Sequence, residues 1–91
     1  MATIEVRRTG GEDPLSFSVR LEDSGGGTDH DVTASGSDVA RLSRPSEAPE
    51  AFITRCFEFL LQREPKESIL RSFDISVIGG YFPDFEERIR G

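Results

Sequence analysis

Phe52-Ile53-Thr54-Arg55-Cys56-Phe57-Glu58-Phe59-Leu60-Leu61 is the densest apolar run in the 91-residue chain and holds three of its seven phenylalanines. At about 100° per residue, Phe59, Phe52, Cys56, Leu60, Ile53, Phe57 and Leu61 follow one another around an arc of roughly 200°. Thr54, Glu58, Gln62 and Arg55 fill the remainder. An arc that wide predicts a helix gripped from two sides, by a sheet on one flank and other helices on the other. Its first reading is a core helix, because buried apolar faces usually serve folding. A sharper reading sets Phe57 and Leu61, at the edge of the arc, against another chain.

The flanks bound this helix. Arg44-Pro45-Ser46-Glu47-Ala48-Pro49 reads as a linker. Pro49 suits a first helical turn, where its missing N–H is no loss, and Glu47 and Glu50 suit the positive helix end. Pro65 ends the helix at about Glu64, with Arg63 in the last turn near the exposed carbonyls. Further on, Ile69, Leu70 and Phe73 stand at helical spacing, and Pro65 can open that second helix. Ile75, Ile78, Phe82, Phe85 and Ile89 also recur at helical intervals, with Asp74 as N-cap. Pro83 must break or kink this run, and Gly79-Gly80 weakens it. Phe73, Ile75 and Val77 alternate as well, so a short strand within residues 73–78 stands as the alternative.

The N-terminal part carries the other periodicity. Ile4 and Val6 alternate with polar neighbours, as do Leu15, Phe17, Val19 and Leu21, and then Val32 and Ala34. These are half-buried strands, joined by a turn over residues 9–14 and a glycine-rich loop over 23–28. Short loops make them antiparallel neighbours. Ser37 or Asp38 can cap a short helix carrying Val39 and Leu42. The expected class is α+β: a three-stranded antiparallel β-meander over about residues 3–35, then three or four α-helices over about 37–90 packed on its one apolar face. Residues 1–91 read as a single domain.

Composition bounds the function. The net charge is −6, with 35% hydrophobic and 31% charged residues. Residues 1–45 hold five basic and eight acidic side chains, and residues 46–91 hold six and nine. Neither half has the clustered cations that duplex binding requires, so nucleic acid is a disfavoured partner. No apolar run approaches the roughly 20 residues of a membrane span. Met1 to Arg8 shows no signal-peptide core, and with one cysteine no internal disulfide forms, so a cytoplasmic location is expected.

From Phe57 onward, FEFLLQREPKESILRSFDISVI (57–78) and then Tyr81-Phe82-Pro83 resemble a family of small bacterial proteins of uncharacterised activity. The resemblance covers the C-terminal half; Gly79-Gly80 departs from the bulkier or charged residues expected there. It implies a bacterial cytosolic origin and carries no activity, cofactor or site residue.

No constellation assembles catalysis. Asp29-His30-Asp31 lacks the ligand set of a closed zinc site and the spacing of a calcium loop, and reads as a solvated strand start. Cys56 lies within the apolar arc, where a thiol is a small hydrophobe and not a nucleophile. Gly25-Gly26-Gly27 lacks the following Lys-Ser/Thr of a phosphate loop, and no serine stands in a Gly-x-Ser-x-Gly elbow. Glu22-Asp23 and Glu86-Glu87 read as solvated carboxylates. No catalytic residue, metal site or cofactor is expected.

What remains is the polar knuckle Arg63-Glu64-Pro65-Lys66-Glu67-Ser68 with Arg71. Arg-to-carboxylate bridges there would fix the angle between helices. Alternatively Arg63, Lys66, Arg71 and Tyr81 form a surface for a protein partner, Arg and Tyr being enriched in binding hot spots. A DNA-reading helix-turn-helix is rejected, since Ile69 to Phe73 offers only Arg71. The expected function is a non-catalytic protein-interaction or accessory domain, monomeric or weakly homodimeric. A nucleic-acid-associated regulator within a complex, and an enzyme completed by a partner, are the alternatives.

Overall fold

A computed structural model of the chain describes residues 2–90. Three strands follow one another at the N-terminus: β1 (Thr3–Gly10), β2 (Leu15–Asp23) and β3 (Gly26–Ala34). Their antiparallel register places Val6, Val19 and His30 in one row of the inner face. The outer face is polar: Arg20 reaches Glu22 at 3.0 Å and Asp29 at 2.8 Å. This is the period-2 pattern of the sequence turned into two faces.

The sheet has a fourth strand and is mixed, which corrects the three-stranded antiparallel meander. β4 (Ser72–Asp74) pairs parallel to β3, giving the order β1-β2-β3-β4. The helix expected from Pro65 to Phe73 is reduced to one 3-10 turn at Lys66–Ser68; the alternative strand within 73–78 is met only at Phe73 and Asp74, since the strand spans Ser72–Asp74 and Ser76–Tyr81 is helical. β3 would otherwise present unpaired backbone groups. Instead Asp31 N–H donates to the Arg71 carbonyl and Ile75 N–H donates to that of Thr33. Phe73 then falls in the inner row of Phe17 and Val32. Satisfying that backbone and burying Phe73 outweighs a few residues of helical spacing.

Four helices complete the chain: α1 (Gly36–Leu42), α2 (Pro49–Leu61), α3 (Ser76–Tyr81) and α4 (Phe85–Arg90). Ser35, not Ser37 or Asp38, caps α1, its hydroxyl accepting from Asp38 N–H at 3.1 Å. α2 starts at Pro49 as expected but stops at Leu61; the Gln62, Arg63 and Glu64 amides fold back onto the Glu58 and Leu60 carbonyls. Asp74 stands just ahead of α3 and accepts from Ser76 N–H at 3.1 Å. Gly79 and Gly80 lie within α3, with open space where a β-carbon at either would stand.

The predicted arc of α2 is the centre of the core. Phe52, Ile53, Cys56, Phe57, Phe59 and Leu60 are all buried, with Leu61 half-buried. α2 lies against β1 on one flank and α4 on the other. Phe57 is fully buried, with its ring 5.7 Å from that of His30 and 5.9 Å from that of Phe73. It is therefore part of the core and not a surface for another chain. Among the described residues no helix is long and apolar enough to cross a membrane.

Candidate functional site

Where β4 ends and α3 begins, the core is left partly open. A groove of about 150 Å³ runs between the end of α2, the segment 68–73 and α3. Leu60, Ile69, Phe73 and Ile78 line its floor. Leu70, Val77 and Tyr81 line it too, and among the described residues they are the exposed large apolar side chains, at 46%, 36% and 67%. The groove follows from the strand. Had residues 66–73 been helical, Ile69, Leu70 and Phe73 would share one face. With the segment extended, Ile69 is buried and Leu70 is turned out. Glu64 is the only ionisable carboxyl or cation lining it, and has no ion pair among the described residues.

The knuckle residues divide. Tyr81 lies on the groove, and Arg71, which follows the groove residue Leu70 in sequence, is exposed. Arg63 does not line it. Its guanidinium lies 3.8 Å from the Phe59 ring centroid and donates to Asp84 at 2.7 Å, clamping the end of α2 to the turn before α4. That donation holds the Asp84 carboxyl below the usual carboxylate range. Lys66 is only 4% exposed and reaches Asp23 at 2.9 Å, with Glu67 as its second carboxylate. It ties the 3-10 turn to the end of β2, so its ammonium is committed inside the chain.

A second concavity collects arginines that no sequence pattern brings together. Arg44, Arg55, Arg63 and Arg88 line a shallow cleft beside α2 and α4. Arg55 grips Glu47 through two bonds of 2.7 Å and also donates to the Ile89 carbonyl. Both side chains of that pair are mostly buried, at 15% and 10% exposed. Arg55 holds the Glu47 carboxyl below its usual range. Arg88 lies 3.5 Å from Asp84. This cleft staples the linker, α2 and α4 together.

His30 corrects the sequence reading of Asp29-His30-Asp31. The imidazole is buried, not solvated. Its Nδ1 lies 2.7 Å from the Leu70 carbonyl and its Nε2 lies 2.8 Å from the Thr28 hydroxyl. A carbonyl only accepts, so Nδ1 carries a proton. The signal was available: His30 is two residues before Val32 and so shares its inner face. Asp29 and Asp31 point outward, and among the described residues no three His, Cys, Asp or Glu gather to hold a metal ion. Cys56 is fully buried, and burial pushes its thiol up to about 12, which keeps it protonated. Glu22 and Glu86 are paired to Arg20 and Arg41. No family model, curated protein or solved structure matches the chain.

Proposed function

We propose that this chain is a protein-docking domain without catalytic chemistry of its own, and that its site is the groove bounded by Leu70, Val77 and Tyr81. The observation that carries the reading is the gathering of these three exposed apolar side chains on one concavity. Apolar pockets with few polar groups suit an apolar anchor from a partner. Glu64 at the groove and the net charge of −6 favour a partner segment with a basic residue beside that anchor. The partner surface thus shifts from the four knuckle residues to Tyr81, Leu70 and Val77, with Arg71 nearby. Nucleic-acid association draws weaker support, because Arg55 and Arg63 are already held by Glu47 and Asp84. A partner-completed enzyme draws weaker support too, because Cys56 is fully buried and no three His, Cys, Asp or Glu gather among the described residues.

The test is selection of peptides displayed on phage against the folded chain, followed by NMR shift mapping of the winners. Enriched peptides should pair an apolar anchor with a Lys or Arg, and shift Leu70, Val77 and Tyr81. Val77→Glu should weaken them at least about tenfold, or roughly 1.4 kcal/mol. Peptides that bind Val77→Glu as well as the parent, or shift residues elsewhere, would sink the groove as the site.

A further inference from the structure

The opposite edge of the sheet is open. β1 pairs with β2 on one side only, and every residue from Thr3 to Gly10 is exposed or half-buried. Such an edge presents a row of unpaired N–H and C=O groups, which proteins usually blunt with proline, a bulge or an inward charge. β1 has no proline. Its irregularity lies at the far end, between Arg8 and Gly10. Arg8 sits opposite Phe17 on the inner face, but its guanidinium donates to the Gly11 carbonyl at 3.1 Å, along its own strand and turn. α2 packs on β1, but no strand among the described residues pairs with the free side of Thr3 to Arg8, whose register with β2 is regular.

Two outer-face charges on that edge lack partners. Glu5 stands across from Arg20, but Arg20 is engaged with Glu22 and Asp29. Arg7 stands across from Ser18. Neither Glu5 nor Arg7 has an ion pair among the described residues. They flank Val6, which with Ile4 is left half-buried on the inner face.

The geometry points to a second copy of this chain as the occupant of this edge, paired antiparallel about Val6 into one continuous sheet. Symmetric pairing that keeps both apolar faces on one side must centre on a residue, since a one-residue slip turns every side chain over. Centring on Glu5 sets Glu5 against itself, and centring on Arg7 sets Arg7 against itself. Centring on Val6 sets Glu5 against the partner's Arg7 and Arg7 against the partner's Glu5. Of the three registers only this one opposes no like charges and joins both unpaired ones. The contact is isologous, so it closes as a dimer. One strand pair is a small interface, well below about 1,200 Å², so the association is weak and reversible.

The test is sedimentation equilibrium of the full chain from about 10 μM to 1 mM, the range of weak complexes. Wild type should self-associate with rising concentration, and less so at high salt. Glu5→Arg and Arg7→Glu, each verified as folded by circular dichroism, should each be monomeric, because both outer rows then oppose like charges. Mixed in equal amounts, they should associate again, as each supplies the sign the other needs. Wild type that stays monomeric overturns the inference, as do single variants that associate like wild type or a mixture that does not recover. Val77→Glu should leave the self-association unchanged, which keeps this interface separate from the groove.

Discussion

The two edges of the sheet are built in opposite ways. β1 is eight residues long and pairs with the strand that follows it through a short turn. β4 is three residues long and joins β3 from about forty positions away. β1 is held by a long ladder; β4 has a short one and leans on particular side chains. His30 meets the Leu70 carbonyl, the Thr33 hydroxyl donates to Asp74 at 2.6 Å, and Phe57 packs against both His30 and Phe73. An edge made by local pairing leaves its backbone open to another strand. An edge made by tertiary contacts leaves gaps between those contacts, and the apolar groove is one. Each proposed surface follows from how its edge was made.

Three substitutions test the contrast. Phe57→Ala should have the largest effect, about 3–5 kcal/mol of stability, from lost burial and the cavity left behind. Urea denaturation measures it, and hydrogen exchange should show the Ile75 amide losing more protection than the β1–β2 amides. A loss under about 1 kcal/mol would mean that the ring does not hold the β4 edge.

Thr33→Val should cost less, about 1–2 kcal/mol, because it removes one hydrogen bond to a charged group. Its pH dependence has a definite sign. Burial pushes the Asp74 carboxyl up, but the Thr33 hydroxyl and Ser76 N–H outweigh it and leave Asp74 below its usual 3.8. A carboxylate with a depressed folded value contributes stability above that usual value and loses it as pH falls through the lower one. Wild type should therefore exceed Thr33→Val at pH 7, and the gap should shrink below about pH 4. A gap that is constant down to pH 2 would detach Asp74 from Thr33.

Glu5→Arg on β1 should be the mildest, within about 0.5 kcal/mol for the monomer, since the site is exposed and forms no ion pair among the described residues. Thermal melting at low protein concentration checks this. A large loss there would show that β1 depends on its side chains as β4 does, and the contrast between the edges would fall.

Much of the core was legible from spacing. Six of the seven side chains on the predicted α2 arc are buried, and the alternation at Leu15, Phe17, Val19 and Leu21 predicted the inner face of β2. His30 was missed because a histidine between two aspartates looks solvated until strand parity is followed back from Val32. Leu70 was missed because the helical reading put it beside Ile69 in the core. The pairing of Lys66 with Asp23 and of Arg63 with Asp84 joins residues far apart in the chain, which no local pattern records.

The sequence by itself determined the two periodicities, the central helix, the antiparallel hairpins and the acidic surface. Those depend on neighbours within a few residues, where side-chain direction repeats every 2 or 3.6 positions. Only the tertiary structure decided that residues 72–74 become a parallel strand, and with it the placement of the groove. Helical and extended spacing are close in energy over so short a segment. The choice falls to the unpaired backbone of β3 and the space beside Phe57, which exist only once the rest of the chain has folded.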